Sequence, residues 1–250
     1  MPTALVISPH LDDAAFSCGG TMAQWADAGW RVVMATAFTR SIHPASGFAL
    51  ACQLDKGLAP DVDYMALRRA EDLQAAAILG AEPRFLDLPE APHRGYASAP
   101  ALFGPALHGD DVWRPLSEAI AALLDELQPG VMLGPQGLGE HIDHRLTIRA
   151  ILHAAGHTPI AFYRDTPYAI RNPAALRNVT LPALGESVIT IAAGLDRKVA
   201  ASCAYASQIG FQFGGAEPAA TVLRAFALSE GNGAPAERFL GSVPSDVSQG

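Results

Sequence analysis

Between residues 4 and 163 short apolar runs alternate with longer amphipathic stretches, and this rhythm restricts the fold more than any other feature of the chain. Ala4-Leu5-Val6-Ile7 stops at Ser8-Pro9, where proline ends ladder pairing. Residues 14–28 carry Met22 and Trp25 on one helical face and halt at Gly29; residues 31–38 are apolar again. A strand, a helix and a second strand in that order fit a right-handed parallel crossover better than a hairpin. The unit then returns. Leu67, Ala70, Leu73 and Ala77 mark a helix closed by Gly80, followed by a strand over 83–88. Leu116, Ile120, Leu123, Leu124 and Leu127 form an amphipathic stripe before a strand at 131–133, and Ile148, Ile151, Leu152 and Ala155 precede a strand at 160–163. Residues 39–64 and 89–115, broken by prolines and glycines, read as long loops. The expected fold class is therefore α/β: an open, mostly parallel sheet flanked by helices, with ligands beyond the carboxyl ends of its strands.

The remainder is less regular, with a strand expected at 187–191, a helix over 195–207 and a polar, weakly ordered tail over about 231–250. No linker or repeat divides the chain. We read residues 1–250 as one domain, with an α/β core over about 1–165 and a portion over about 166–230 that completes a cleft.

Composition removes several function classes. Half of the residues are hydrophobic and 17% are charged, which is unlike a disordered chain. No window approaches the roughly 20 consecutive apolar residues of a membrane helix. A net charge of -8 without any lysine or arginine run lacks the electrostatic footprint of a nucleic-acid or anionic-membrane binder. Small-molecule substrates are the expected partners, and a homo-oligomer is compatible with the chain. Cys18, Cys52 and Cys203 are too scattered for a disulfide framework or a zinc knuckle. Residues 1–13 lack the basic start and long apolar segment of a secretory signal, so a cytoplasmic location is expected.

Two polar clusters stand out, each placed directly after a strand. Ser8-Pro9-His10-Leu11-Asp12-Asp13 sets an imidazole and two carboxylates within four positions. Such groups suit zinc, whose catalytic sites combine three protein ligands with one open position. After the strand at 131–133 comes Gly134-Pro135-Gln136-Gly137-Leu138-Gly139-Glu140-His141-Ile142-Asp143-His144, a glycine-rich bend that supplies further ligands and supporting groups.

The pair of motifs, in this order and separated by Arg68 and Glu71 in an Arg-x-x-Glu spacing, resembles the PIG-L/LmbE-like family of zinc-dependent N-deacetylases. The resemblance covers about residues 1–210 and includes Lys198 to Gln208 (KVAASCAYASQ). It implies a Rossmann-like sheet and hydrolysis of an N-acyl amide, most often an N-acetyl group on an amino sugar or its conjugate. By position it implies His10, Asp13 and His144 as metal ligands, Asp12 as general base acting on a zinc-activated water, and His141, oriented by Asp143, as a stabiliser of the tetrahedral intermediate if protonated. Arg68 is implied to reach substrate. Zinc is the default metal, with ferrous iron, cobalt or nickel as substitutes. Two positions depart from the family: Ala14 stands where glutamate is frequent, and Gly139 where some members carry an aromatic residue. Both bear on the substrate more than on the reaction class.

Blander readings compete. Arg68 and Glu71 suit an ion pair on one helix face, and Asp143 suits a helix N-cap with His141 a loop residue. Gly19-Gly20 without the rest of a dinucleotide fingerprint does not indicate a nicotinamide cofactor. Residues 87–96 (DLPEAPHRGY), with Glu90, His93, Arg94 and Tyr96, are a candidate cleft wall. A hydrolase of another small amide or an ester, or a binding domain without activity, are the alternatives to deacetylation.

Overall fold

Alternate residues of the first apolar run enter opposite cores: Ala4 and Val6 pack in one, Leu5 and Ile7 in the other. A strand buried on both faces needs a helical layer on each, and a computed structural model, which describes residues 1–173 and 181–244, has that arrangement. Its strands are β1 (Thr3–Ser8), β2 (Arg31–Thr36), β3 (Glu82–Phe85), β4 (Val131–Pro135), β5 (Ile160–Tyr163), β6 (Glu186–Thr190) and β7 (Ala236–Leu240). They form one sheet in the order β3-β2-β1-β4-β5-β7-β6. The first five are mutually parallel, with Leu5 opposite both Val33 and Met132; β7 runs antiparallel to β5 and to β6.

The helices are α1 (Asp13–Asp27), α2 (Gly47–Leu54), α3 (Tyr64–Leu79), α4 (Ala99–Leu102), α5 (Trp113–Leu127), α6 (Ile142–Ala154), α7 (Tyr168–Arg171), α8 (Leu195–Cys203), α9 (Ala206–Phe213) and α10 (Ala216–Glu230). Phe16, Met22, Leu79, Val199, Ile209 and Leu223 bring α1, α3, α8, α9 and α10 onto one face. Leu116 and Ile120 of α5 and Leu146 and Ile151 of α6 cover the other. Strand order reverses direction at β1, whose neighbours are β2 and β4. At such a switch point the loops leaving adjacent strands diverge and open a crevice at the carboxyl edge. No helix among the described residues is long and apolar enough to cross a membrane.

Several expectations need correction. The presumed loop over 39–64 contains α2, and the one over 89–115 contains a 3-10 turn (Ala91–Arg94) and α4. The helix expected over 195–207 is two helices, α8 and α9, and α10 follows them. The tail expected to be weakly ordered supplies β7, an interior strand of the sheet; residues 245–250 of that tail lie outside the described residues. The cause is a buried charge. Glu237 of β7 accepts from the Gly20 and Thr21 amides at 3.0 and 2.9 Å, from the Thr21 hydroxyl at 2.6 Å and from Lys198 Nζ at 2.6 Å. Those amides are free because α1 is broken at Cys18, where φ is -129°. A charged residue in a strand is hidden here by long-range partners. Gly20 itself is a packing position, since a Cβ there would overlap Ile191.

Candidate metal centre

The crevice between β1 and β4 gathers both polar motifs. Past β1 the chain turns sharply: Ser8 Oγ donates to the His10 carbonyl at 2.6 Å and accepts from the Ala14 amide at 3.0 Å. Asp13 Oδ2 accepts from the His10 amide at 2.9 Å, so Asp13 opens α1 with its carboxylate folded back over His10. Past β4, Gly137 and Gly139 take positive φ values of 80° and 79°, and α6 begins at Ile142. The cap of α6 is His141, whose Nδ1 accepts from the Asp143 amide at 3.2 Å; Asp143 is therefore not the N-cap. At Gly139 a Cβ would overlap the Tyr168 ring, so an aromatic side chain from α7 fills the space beside this glycine.

The sequence-nominated ligands converge. Asp13 Oδ2 lies 3.1 Å from His10 Nδ1 and 3.2 Å from His144 Nε2. Tetrahedral ligands at about 2.0–2.1 Å from zinc stand roughly 3.3 Å from one another, so this spacing suits three ligands of one ion. The opposite nitrogens are held by carboxylates. His10 Nε2 donates to Asp143 Oδ2 at 3.0 Å and His144 Nδ1 to Asp165 Oδ1 at 2.5 Å, which aims the other nitrogen of each ring at Asp13. His144 Nε2, fully buried, has no hydrogen-bond partner among the described residues. An orphaned imidazole nitrogen facing a carboxylate at coordination spacing is what a cation between them would leave, and the donor set fits a divalent metal. Burial opposes charge on both rings, yet their carboxylate neighbours outweigh it, pushing His144 up to about 9 and His10 well above the usual range.

His141 is close to this group: ligand nitrogens of His10, His141 and His144 lie within 4.8 Å of one another. Asp13 would fit better as a third ligand, because its oxygen touches both other donors while His141 Nδ1 is already an acceptor. Burial, and then the neighbouring His10, depress His141 to about 3. With Nδ1 accepting from the Asp143 amide, the unprotonated ring carries its one proton on Nε2, so the role expected of His141 if protonated would fall to an uncharged donor. Its orientation comes from the Asp143 amide rather than the carboxylate. That carboxylate bridges His10 and Arg94, whose Nη1 stands 2.7 Å from Asp143 Oδ1. Asp143 is held well below the ordinary range: burial works against this, and the His10 hydrogen bond and the Arg94 charge overcome it.

Asp12 points into the same crevice and is not a member of the ligand triangle. Burial, followed by the charge of Asp13, raises it to about 7. Arg68, 4% exposed, sends Nη2 to the Leu11 carbonyl at 3.2 Å and to Asp12 Oδ2 at 3.7 Å, while Nη1 meets Glu90 at 2.5 Å. Arg68 thus braces the Asp12 turn, and it also lines the cleft in which contact with substrate is expected. Glu71, its expected partner, turns instead to Ser207 of α9. A cleft of about 300 Å³ opens in front, with His10, Asp12, Asp13 and His141 at its floor and Phe103 and Tyr168 on its walls. Residues 166–230 contribute Tyr168, Gln208 and Phe211 to it, and Glu90 and Pro92 come from the segment named as a candidate wall.

Sequence reading missed Asp165 and Arg94 as supports of the ligands. Asp165 stands two residues beyond β5, at the same carboxyl edge that drew attention to the other motifs, and that position was its one signal.

The family model for GlcNAc-PI de-N-acetylase (PIG-L) matches residues 5–155, a span that holds both motifs. A 2'-N-acetylparomamine deacetylase of Streptomyces fradiae is 36% identical over 168 residues, covering 66% of this chain and 57% of that protein. The chain therefore spans less than two thirds of the length of this curated relative. Among solved structures, the bog complex of a deacetylase in the biosynthesis pathway of teicoplanin superposes with a TM-score of 0.85 at 30% identity, covering 98% of this chain and 100% of that one. The zinc inhibited form of the teicoplanin deacetylase Orf2 gives 0.83 at 29% identity over 98% and 100% of the two chains. With the fold, the motif order and the family model in agreement, the chain belongs to the GlcNAc-PI de-N-acetylase (PIG-L) family.

Proposed function

We propose that the protein is a metal-dependent hydrolase that removes an N-acetyl or other N-acyl group from an amino sugar or amino-sugar conjugate. One observation carries the reading: a carboxylate outside the ligand triangle, Asp12, faces the cleft beside Asp13, His10 and His144 with its pKa near neutrality. A site built only to hold a metal or a metabolite does not need that group. The deacetylase names of the relatives support the class of reaction.

A divalent cation held by His10, Asp13 and His144 would supply Lewis acidity, polarising the amide carbonyl and acidifying a water beside it. Asp12 is placed to accept the proton of the attacking water, and burial beside Asp13, which raises its carboxyl above the ordinary range, favours it as the group that then returns a proton to the departing amine. His141 donates Nε2–H toward the carbonyl oxygen as negative charge develops there, and being neutral it does so without repelling the cation. Asp143 and Asp165 are positioning residues that fix the tautomers of His10 and His144. Arg68 and Glu90 keep the Asp12 turn in place at the cleft wall.

The metal is proposed to be zinc, with ferrous iron, cobalt and nickel as functional substitutes. Acetate release from a panel of N-acetyl amino sugars and N-acyl amino acids, measured before chelation, after it and after return of each metal, tests the reading. Activity that disappears with chelator and returns with metal is expected; full activity of the metal-free protein excludes the mechanism.

A further inference from the structure

A chain of hydrogen bonds runs from Glu71 on α3 through α9 to the cleft, and its direction is fixed by counting donors. Glu71 accepts from the Ser207 amide at 2.7 Å and from Ser207 Oγ at 2.7 Å. The single hydroxyl proton of Ser207 is thereby spent, so Ser207 Oγ can only accept from its next neighbour. That neighbour, 2.8 Å away, is the Gln208 side chain, which must present its amide nitrogen there. The second proton of the same nitrogen goes to Tyr64 Oη at 2.7 Å. Tyr64 is thus an acceptor toward Gln208, and its own O–H has no acceptor among the described residues. Gln208 Oε1 likewise has no donor there. Burial pushes the Tyr64 phenol up, so it keeps its proton. Tyr64 and Gln208 both line the cleft that holds His10, Asp12 and His141, and Gln208 is 2% exposed.

One uncommitted donor beside one uncommitted acceptor, on two residues that line the cleft, matches a group that is acceptor and donor at once. We propose that Tyr64 and Gln208 form a hydroxyl-reading subsite, in which Tyr64 O–H donates to, and Gln208 Oε1 accepts from, hydroxyl oxygen on the sugar that carries the acylated nitrogen. This rests on the deacetylase reading and deepens it. It makes the chain selective for polyhydroxylated amides over N-acyl amino acids, whose carboxylate accepts but does not donate. It also gives Glu71 its purpose, the anchor that sets the polarity of the whole chain of bonds.

The test uses the metal-loaded full chain and three probes: the methyl glycoside of N-acetylglucosamine, its monodeoxy analogues, and a hydroxyl-free acetamide. Tyr64→Phe should lower kcat/KM for the parent glycoside about tenfold, the size expected for one unmade neutral hydrogen bond in a desolvated site. One monodeoxy analogue should show a similar loss with the native chain and almost no further loss with Tyr64→Phe, and the hydroxyl-free acetamide should not distinguish the two proteins. Gln208→Met, which leaves the tyrosine in place, should couple to the same analogue. Equal losses on every probe, or none, would overturn the subsite while leaving deacetylation standing. Absence of acetate release from every probe by the native chain would overturn both.

Discussion

His144 Nδ1 and Asp165 Oδ1 stand 2.5 Å apart, both residues wholly shielded from solvent, on elements that follow different strands of the sheet. The contact decides which nitrogen of His144 keeps its proton and therefore which one faces Asp13. Asp165→Asn keeps the shape and removes the charge, so the imidazole loses basicity and its preferred tautomer. Metal affinity should fall about 10- to 100-fold, as for other carboxylates that support a ligand histidine. Competition with a chelator of known affinity measures it; unchanged affinity would dismiss Asp165 as a support.

Asp12 and His144 should separate chemistry from metal binding. Asp12→Ala removes the proposed base and no ligand, so turnover should fall by about 10²- to 10⁴-fold while the bound metal stays near one equivalent. His144→Ala should lose the metal itself. Elemental analysis beside acetate release distinguishes the two, and an Asp12→Ala protein with near-native rates would refute the assignment of the base.

Arg94 is a structural debt of the site. Its guanidinium is split between Asp110, at 3.0 Å from Nη2, and Asp143, at 2.7 Å from Nη1. Arg94→Met would leave the Asp143 charge buried with only His10 to balance it. Loss of one partner of a buried ion pair costs about 3–5 kcal/mol. Urea unfolding of the metal-free protein should show a loss of that order, and a change below about 1 kcal/mol, the worth of an exposed pair, would mean that Arg94 is dispensable.

What the sequence discloses follows the range of the interactions concerned. β1 and β4 are legible because both faces of each are covered, giving apolar runs cut short by Pro9 and by Gly134-Pro135. The gathering of His10, Asp12, Asp13 and His144 at one crevice is legible because each motif is local, a few positions after a strand. Asp165 and Arg94 are not, since their value lies in contacts with His144 and Asp143 across the fold. β7 is hidden for a related reason. Its sequence, AERFL, holds two charges, and only Lys198 together with the amides freed by the break in α1 makes Glu237 an interior residue. The polarity of His141 is equally invisible, because it is set by a backbone amide that meets Nδ1 only when α6 is formed.

Asp72 gives the fold a measurable dependence on pH away from the metal ligands. It is 1% exposed on α3, accepts from Tyr205 Oη at 2.6 Å and has Thr36 Oγ1 at 3.5 Å. Burial raises its carboxyl from 3.8 to about 7, and the hydrogen bonds and Arg68 only moderate this. Between these values the unfolded chain has released the proton and the folded chain has kept it. The folded state then binds more protons, so the Asp72 contribution to stability falls as pH rises from about 4 to about 7 and is level above that. Asp72→Asn keeps an acceptor for Tyr205 and cannot ionise. Relative to the native chain, this variant should therefore gain stability on going from pH 5 to pH 8, approximate settings either side of the raised pKa. Other titrating groups are common to both proteins and cancel in the comparison. Parallel stability profiles for the two proteins in urea would show that Asp72 titrates alike in the folded and unfolded states, and that burial does not hold its proton.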